Sequence, residues 1–436
     1  MNFAYYTYTL VSTCLFALLF PPFWLYSHLT GRYRKGFKQR LGVYQDRLLR
    51  KVTGSPRIWL HAASVGEVKT AESIIETLRI SIPGCGFILS TMTEQGQAMA
   101  LDKLGGSVTC IYAPIDFIFS VRLAMSAIKP DLLVLLETEI WPNLLREAAR
   151  RGVKTALVNG RISIRSFDGY LKARPVINEA LRHINTFSMI SDHDAERIAR
   201  LGAPKDKIAV NGNAKYDRLS KQVSHTLSAR MKRRYNIGES LPVFLAGSIR
   251  SQEESIVLDV FKRIYKRYPE VLLIIAPRHL ERVRAIKNLA EENGFSFQLR
   301  TDLKRPDCQR TEPVLIIDTI GELQDIYSIA SIVFCGGSLA PLGGQNILEA
   351  AAWGKPVLYG PSMEDFLDAK SLLEKTGGGI QVENGDDLAE KALYYLSRPE
   401  EASLIGEQAR QAVLLNKGSG GKHAGVVLEL LSRDGG

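Results

Sequence analysis

Short apolar runs alternate with segments of helical spacing along most of the chain. Stretches such as 68–78 and 144–151 place apolar residues on one helical face between these runs. Because strands that alternate with helices build parallel sheets covered on both faces, the pattern predicts an α/β fold with doubly wound, Rossmann-like sheets. The runs that we interpret as strands are 58–60, 87–90, 108–112, 132–136, 155–158 and 186–190, then 243–246, 271–276, 314–317, 332–335 and 356–359.

The alternation pauses once, between residues 217 and 241. This stretch is polar and basic, with helical spacing over 227–235, and we interpret it as the connection between two domains. A chain of 436 residues also exceeds what one ordinary core supports. We therefore expect an N-terminal segment over residues 1–30, a first domain over 31–222 and a second domain over 223–436. The sequence pattern after Gly379 predicts helices.

A glycine-rich loop follows the predicted strand 332–335. It contains Gly336, Gly337, Gly343 and Gly344, and the next predicted helix carries Asn346 and Glu349 in its first turns. Glycines allow a backbone to approach a ligand closely, and a helix start offers unpaired N–H groups to an anion. A carboxylate one turn inside the helix would accept hydrogen bonds from ribose hydroxyls. The stretch therefore predicts a nucleotide site, and its alternative interpretation is a tight strand-to-helix turn.

Polar residues also follow the strands of the first domain, where ligands of such sheets bind. Glu67 follows the first strand, Glu137 and Glu139 follow the fourth, and Arg161 and Lys215 come later. Each carboxylate alone has the alternative role of a cap that stabilises a helix dipole. Several charged residues at one sheet edge indicate a site that handles protons and anions. The two acids of Glu137-Thr138-Glu139 face opposite ways on an extended backbone, so we expect Glu137 to act and Glu139 to support it.

The strand ends of the second domain carry a basic residue suited to phosphate. Arg278 follows the second strand of this domain, and a guanidinium binds phosphate oxygens in a forked geometry. Its neighbour His279 alone is more typical of a helix-start hydrogen bonder than of a catalyst. Gly321-Glu322-Leu323 opens a helix after the third strand.

Residues 3–29 are apolar and aromatic and come close to the about 20 residues that a spanning helix needs. A cleaved signal peptide would carry its basic residues before the apolar run, whereas here they follow it. A buried core helix is a second alternative. We favour a membrane anchor whose following segment stays cytoplasmic, and Pro21-Pro22 leave a kinked or partly inserted helix as open as a straight span.

The net charge of +10 is concentrated just after this segment. Between Gly31 and Lys51 there are eight basic residues and one acid, Asp46, and we expect this segment to lie on anionic lipid head groups or near an anionic lipid substrate. The remainder is close to balanced, which argues against nucleic-acid binding. The five cysteines are scattered without a Cys-x-x-Cys pair and indicate neither disulfides nor zinc. The basic residues are Arg32, Arg34, Lys35, Lys38, Arg40, Arg47, Arg50 and Lys51.

Five segments together resemble those of the bacterial lipid A Kdo transferases (3-deoxy-D-manno-octulosonic acid transferases), which are GT-B glycosyltransferases. They are His61-Ala-Ala-Ser-Val-Gly-Glu67, Glu137-Thr-Glu-Ile-Trp-Pro-Asn143, Asn159-Gly-Arg-Ile-Ser163, Gly212-Asn-Ala-Lys-Tyr-Asp217 and the glycine-rich stretch 331–361. The resemblance implies two Rossmann-like domains that face each other across a cleft, and we expect the last helices to pack back across this cleft. The resemblance also implies transfer of Kdo from CMP-Kdo to a lipid A precursor (lipid IVA) at the cytoplasmic side of the inner membrane.

The resemblance assigns roles to residues of both domains. The first domain would bind the acceptor, with Glu67 as proton acceptor and Glu137 and Lys215 as transition-state stabilisers. The second domain would bind the donor, and no cofactor or metal is implied. One carboxylate acting as base in a direct displacement inverts the anomeric centre. The residues implied to contact the cytidine monophosphate are Pro277, Arg278, Gly321, Glu322, Leu323, Asn346, Ile347, Leu348 and Glu349.

Two departures from the family pattern affect the donor pocket. Gln345 stands where the family usually has His, and Gly247-Ser248-Ile249-Arg250 stands where it has Gly/Ser-Thr-His. Gln donates a hydrogen bond but carries no charge, and Arg250 supplies a charge nearby. The alternative functions are another GT-B glycosyltransferase acting on a lipid, a nucleotide-sugar epimerase, and a membrane-tethered nucleotide binder without catalysis.

Overall fold

The computed structural model describes residues 3–30, 35–217, 219, 224–238, 240–304 and 309–432. Arg32 and Arg34 of the basic segment, Cys308 and the predicted domain boundary at 222/223 lie outside the described residues. The chain forms two compact units, one of residues 1–215 with 418–436 and the other of residues 216–417.

The first unit contains a seven-stranded parallel sheet in the order β3-β2-β1-β4-β5-β6-β7. Its strands are β1 Arg57–His61, β2 Gly86–Thr91, β3 Thr109–Tyr112, β4 Leu132–Leu136, β5 Lys154–Gly160, β6 Thr186–Met189 and β7 Ile208–Val210. Its helices are α1 Phe3–Thr30, α2 Phe37–Arg40, α3 Asp46–Leu49, α4 Val65–Ser81, α5 Glu94–Leu104, α6 Ile118–Ile128, α7 Pro142–Arg150, α8 Ile164–Lys172, α9 Arg174–Arg182 and α10 Asp192–Leu201.

The second unit repeats this architecture with the sheet order β10-β11-β9-β8-β12-β13-β14, again all parallel. Its strands are β8 Val243–Ile249, β9 Leu272–Pro277, β10 Phe297–Leu299, β11 Val314–Ile316, β12 Ile332–Cys335, β13 Val357–Tyr359 and β14 Gly379–Gln381. Its helices are α11 His225–Arg234, α12 Glu253–Arg267, α13 Val283–Glu292, α14 Leu323–Ile326, α15 Leu348–Ala351, α16 Leu367–Thr376, α17 Gly385–Leu396 and α18 Pro399–Leu415. The expectation of two doubly wound α/β units is confirmed.

The central strands read as continuous apolar runs because both of their faces are covered. All five residues of β4 are buried. Leu133 and Leu135 point into one core of the first unit, whereas Leu132, Val134 and Leu136 point into the other. This alternation is the two-residue period of a strand, and burial on both sides is what parallel sheets with helices on each face require.

The last helix of the chain, α19 Ser419–Ser432, belongs to the first unit. Ala424, Val427 and Leu430 enter the same core as α4 and β4. The Lys154 ammonium donates a hydrogen bond to the Leu430 carbonyl at 2.7 Å. The predicted second domain ran to residue 436, whereas the compact second unit ends at Lys417, because the apolar face of α19 completes the first core.

Helix α1 is long and apolar enough to cross a membrane, and it is the one such helix in the described part of the chain, judged by length and composition. It runs through Pro21 and Pro22. One face of its first half forms hydrogen bonds with the rest of the first unit. The Tyr5 hydroxyl donates to Asn143 Oδ1 at 3.0 Å, and the Tyr8 hydroxyl donates to Asp116 Oδ2 at 2.9 Å. The opposite face exposes large apolar side chains.

Candidate functional site

The order of the first sheet reverses between β1 and β4, and side chains at the carboxyl ends of these two strands meet there. In open α/β sheets, ligands bind in the crevice at this kind of switch point. Glu67 follows β1 at the start of α4, and Glu137 directly follows β4. The topology therefore places these two carboxylates on neighbouring strand ends.

Glu67 lies in the first turn of α4 and is only 7% exposed. Its Oε2 accepts a hydrogen bond from the Ala63 N–H at 2.8 Å, and its Oε1 accepts one from the Ser64 hydroxyl at 2.9 Å. Burial, followed by the negative charges of Glu137 and Glu139, raises the pKa of Glu67 to about 7. A carboxyl group with a pKa near neutrality is suited to accept a proton and release it again.

Lys215 joins the two carboxylates into one cluster. Its ammonium forms an ion pair with Glu137 Oε1 at 2.6 Å. A Cβ atom added at Gly66 would lie 3.8 Å from Lys215 Nζ, so the ammonium also lies next to the start of α4. Glu137 has a backbone φ of 55°, a left-handed conformation that residues other than glycine rarely adopt and that often marks functional sites. The structure thus brings together the three residues to which the resemblance assigns catalytic roles.

The Glu139 carboxylate contacts two ring nitrogens, those of His61 and Trp141. The Trp141 Nε1–H donates to this carboxylate at 2.6 Å, and His61 Nε2 lies 3.3 Å from the same oxygen. Burial alone would raise the pKa of Glu139, but hydrogen bonding and charge from His61, with the bond from Trp141, lower it below its usual value. These contacts are those of a structural partner, the role expected for Glu139.

His423 supports the loop that carries Lys215, a role that was not recognised from the sequence. Its Nε2 lies 3.0 Å from the Gly212 carbonyl, and its Nδ1 lies 2.6 Å from the Ser188 hydroxyl. Burial lowers the pKa of His423 to about 4, so the ring is neutral near pH 7. With Nε2–H donating to Gly212 and Nδ1 accepting from Ser188, it fixes the loop from the distant helix α19. A single His in an amphipathic helix does not reveal such a role.

In the second sheet the order reverses between β8 and β12, and the glycine-rich loop follows β12. Three N–H groups of this loop donate to a protein side chain, because Glu253 accepts hydrogen bonds from them. Its carboxylate binds the N–H groups of Gly337, Ser338 (2.9 Å) and Leu339 (3.0 Å). Glu253 is fully buried at the start of α12, where the sequence offered no reason to distinguish it from a helix cap.

Asn346 and Glu349 lie side by side after this loop. Asn346 Nδ2 donates to Glu349 Oε1 at 3.2 Å, and Asn346 Oδ1 accepts from the Leu348 N–H at 3.2 Å. The helix α15 has four residues and starts after Asn346, so the expectation that Asn346 lies within it is wrong. Ile347 and Leu348 are fully buried in the core, which leaves only their backbone for a ligand.

Glu322 is held by a buried arginine. Arg300, which is 0% exposed, donates from Nη2 to Glu322 Oε1 at 2.8 Å, and the Thr319 hydroxyl donates to Oε2 at 2.5 Å. Burial would raise the pKa of Glu322, but these hydrogen bonds and the charge of Arg300 lower it. The carboxylate therefore fixes the loop at Gly321 and Leu323, and Arg300 was not recognised from the sequence because an isolated Arg usually lies in solvent.

Pro277 ends β9, and the exposed Arg278 follows it. The Arg278 N–H donates to the Ile249 carbonyl at 2.9 Å, which fixes its backbone beside the end of β8. Its guanidinium makes no hydrogen bond or ion pair with any residue that the structure describes. Among the described residues, no group of three or more His, Cys, Asp or Glu side chains is placed to hold a metal ion.

Comparison with known proteins shows which protein family this chain resembles. A family model described as "3-Deoxy-D-manno-octulosonic-acid transferase (kdotransferase)" matches residues 35–218. A 3-deoxy-D-manno-octulosonic acid transferase from Haemophilus influenzae is 30% identical over 396 residues, which cover 91% of this chain and 91% of that protein. A bifunctional glycosyltransferase/methyltransferase from Fusobacterium nucleatum is 35% identical over 361 residues, 81% of this chain and 56% of that protein. The chain thus spans little more than half the length of the Fusobacterium relative.

Two solved structures are similar over most of the chain. A glycosyltransferase from Rickettsia africae has a TM-score of 0.60 at 16% identity, with 86% of this chain and 99% of that chain covered. A UDP-GlcNAc 2-epimerase from Neisseria meningitidis has a TM-score of 0.61 at 15% identity, with the same coverage. At such identities these likenesses establish the GT-B type of fold alone.

Proposed function

The chain belongs to the family of 3-deoxy-D-manno-octulosonic acid (Kdo) transferases, and from this premise we propose that it transfers Kdo from CMP-Kdo to a lipid A precursor in lipopolysaccharide biosynthesis. The observation that carries the proposal is the buried Glu67 carboxylate with a pKa of about 7, beside the Glu137–Lys215 ion pair. A glycosyltransferase needs such a base, whereas a protein that only binds nucleotides does not.

In the proposed reaction, Glu67 removes the proton from a sugar hydroxyl of the acceptor. The hydroxyl oxygen forms a bond to the anomeric carbon of Kdo as the bond to the phosphate of CMP breaks, so the anomeric centre inverts. The electron pair leaves with CMP, and the proton stays on Glu67 until solvent takes it. Lys215, held by Glu137, places a positive charge where negative charge develops near the acceptor.

In the second unit, we assign donor binding to the residues at the ends of β8, β9 and β12. The exposed Arg278 guanidinium would bind the phosphate of the cytidylate through charge-assisted hydrogen bonds. Asn346 and Glu349 present polar atoms to the ribose. Because Glu253 occupies the loop N–H groups, side chains rather than the glycine loop would neutralise the phosphate.

The proposed location is the cytoplasmic side of the inner membrane. Helix α1 is apolar over its length, and basic residues such as Lys38, Arg47 and Arg50 follow it. Basic residues next to a membrane segment favour the cytoplasmic side and bind anionic lipid. This arrangement would hold the first unit close to a lipid-borne acceptor.

The test is transfer by the full-length protein in detergent micelles, with CMP-Kdo and tetra-acylated lipid A precursor. Mass spectrometry of the lipid should show addition of Kdo. No Kdo-bearing lipid from the wild-type protein would contradict the proposal. The epimerase alternative, which shares the fold, would instead convert a nucleotide sugar without any lipid acceptor.

Replacing the base tests the mechanism. Glu67→Gln should lower kcat by about 10²–10⁴-fold, the usual contribution of a general base. CMP binding should be unchanged. The matched control is Glu76→Gln, an exposed residue of the same helix. Undiminished turnover of Glu67→Gln would remove Glu67 from the base role.

A further inference from the structure

An apolar groove lies between α1 and the body of the first unit, and neither the catalytic cluster nor the donor site uses it. It has a volume of about 590 Å³, within the range of about 300–1,000 Å³ that is usual for ligand pockets. Aromatic and aliphatic side chains of α1 form one wall, and residues that follow α1 in the chain form the other. Those used below are Leu15, Phe16, Leu19, Phe20, Phe37 and Phe117.

The groove is built by the way α1 binds to the first unit. The hydrogen bonds of Tyr5 and Tyr8 hold the N-terminal half of the helix. Further along the helix, Phe16 stacks on Phe117 with a centroid distance of 4.1 Å, and Phe20 stacks on Phe37 at 5.9 Å. A groove remains between α1 and the rest of the first unit beside these stacked pairs, and apolar side chains line both of its walls. An apolar surface of this kind in a ligand-sized groove is suited to a hydrocarbon chain.

Two hydrogen bonds, one within the backbone and one to a side chain, link the groove wall to the catalytic cluster. Met92 lines the groove, and its N–H donates to the Ala63 carbonyl at 3.1 Å. The N–H of the same Ala63 donates to the carboxylate of Glu67. Met92 in the groove wall is thus connected through Ala63 to the proposed base.

Positive charge lines the same wall. Arg40 borders the groove and is fixed there, because its guanidinium donates to the Met92 carbonyl at 2.6 Å and lies 4.6 Å from the centroid of the Tyr112 ring. Lys38 is exposed on the same short helix, α2. A molecule with an apolar chain and an anionic head group matches this arrangement, since the chain fills the groove and the head group meets the cations.

We propose that this groove binds an acyl chain of the anionic glycolipid acceptor and thereby positions its sugar hydroxyl at Glu67. The proposal rests on the proposed function and deepens it. The outer face of α1, with Leu10, Leu18 and Leu29 exposed, would face the bilayer, so that the acyl chain enters the groove laterally from the membrane.

The first test is photo-crosslinking of the full-length protein in detergent micelles without CMP-Kdo. The probe is a lipid A precursor that carries a diazirine on one acyl chain. Adducts should map to peptides containing Phe16, Phe20 and Met92. Unlabelled lipid A precursor should compete, whereas phosphatidylglycerol at the same acyl concentration should not. Adducts spread over the outer face of α1, or equal competition by phosphatidylglycerol, would overturn the proposal.

A matched pair of variants tests the groove itself. Leu15→Trp with Leu19→Trp narrows it at positions that are 50% and 58% exposed, so folding should tolerate the change. The control is Leu10→Trp with Leu18→Trp on the outer face of the same helix, 65% and 71% exposed. The groove variant should lose at least about tenfold in crosslinking and gain about tenfold in KM for the lipid acceptor, with KM for CMP-Kdo unchanged. Equal behaviour of the two variants would contradict the proposal.

The two proposals fail separately. Crosslinking in the groove without any Kdo transfer by the wild-type protein would contradict the proposed function and leave the groove assignment standing. Transfer of Kdo without crosslinking in the groove would contradict the groove assignment and leave the proposed function standing.

Discussion

At the scale of single residues, the acidity of Glu67 is set by its surroundings. Burial and two neighbouring carboxylates raise its pKa, while the Ala63 N–H and the Ser64 hydroxyl lower it again. The result is a pKa of about 7, at which a carboxylate is both ionised in part and basic enough to accept a proton. Lys215 holds Glu137 in place beside it.

This balance predicts the pH dependence of the reaction. Because Glu67, as the proposed base, must be deprotonated to accept a proton, kcat/KM should fall as the pH drops through about 7. Glu137→Gln removes a charge that raises the pKa of Glu67, so the midpoint of this fall should move to lower pH even though the rate at the plateau decreases. The measurement is kcat/KM from pH 5 to 9 for both proteins. A midpoint that does not move would show that Glu137 does not act on Glu67 electrostatically.

Arg278 gives a second prediction at this scale. Charge-assisted hydrogen bonds are worth about 1.5–3 kcal/mol, so Arg278→Ala should weaken CMP binding by roughly 10–150-fold. Isothermal titration calorimetry with CMP measures this directly. Arg284→Ala, a second exposed arginine of the same unit, is the control and should bind CMP like the wild-type protein. Unchanged affinity of Arg278→Ala would reject its assignment to phosphate.

At the scale of elements, the two switch points are built in different ways. In the first unit a strand end and a helix start present charged side chains. In the second unit, Glu253 at the start of α12 fixes the glycine-rich loop after β12 by accepting its N–H groups. Gly336 is still required, because a Cβ at this position would lie 2.7 Å from Ile249 Cα. Gly336 allows the loop to pack closely against β8.

The role of Glu253 predicts a stability effect in the second unit. Glu253→Gln keeps the shape but turns one acceptor oxygen into an NH₂ group that faces N–H donors, and buried donors without partners cost about 1–3 kcal/mol. The free energy of unfolding of the second unit should fall by about that amount, measured by hydrogen exchange in urea. Glu292→Gln, an exposed change at the end of α13, is the control. A stability equal to that of the control would mean that the carboxylate does not hold the loop.

At the scale of the whole molecule, the chain crosses from the first unit to the second and then returns with α19. The return supplies core residues to the first unit and places His423 under the loop of Lys215. The first unit is thus incomplete until the C-terminus has been added. The second unit is formed by one continuous stretch, residues 216–417.

A substitution at Val427 tests whether α19 belongs to the first unit. The Val427 side chain is fully buried against α4, and Val427→Ala removes two buried carbon groups at about 0.8 kcal/mol each, with a further cost for the cavity. The first unit should lose about 2 kcal/mol of unfolding free energy, whereas the second unit should be unchanged. Hydrogen exchange resolved by peptide reports on both units in one experiment. Destabilisation confined to the second unit would contradict the assignment of α19.

The sequence by itself determined the central strands and the residues at their ends. The runs at 58–60, 132–136 and 332–335 coincide with β1, β4 and β12, because strands covered on both faces must be apolar without interruption. The short strands β7, β10 and β14 escaped notice, since they lie at sheet edges, have three residues each and are only partly buried. Glu67, Glu137 and Lys215 were named from the sequence because motifs at strand ends are local in the chain.

Only the tertiary structure decided what each polar side chain touches. Glu253, Arg300 and His423 act on loops that are 22 to 211 residues away in sequence, and no local pattern encodes contacts at that distance. The same holds for the groove beside α1, whose two walls come from separate segments of the first unit. Periodicity records which residues are buried along one element, whereas hydrogen-bond partners depend on how distant elements pack together.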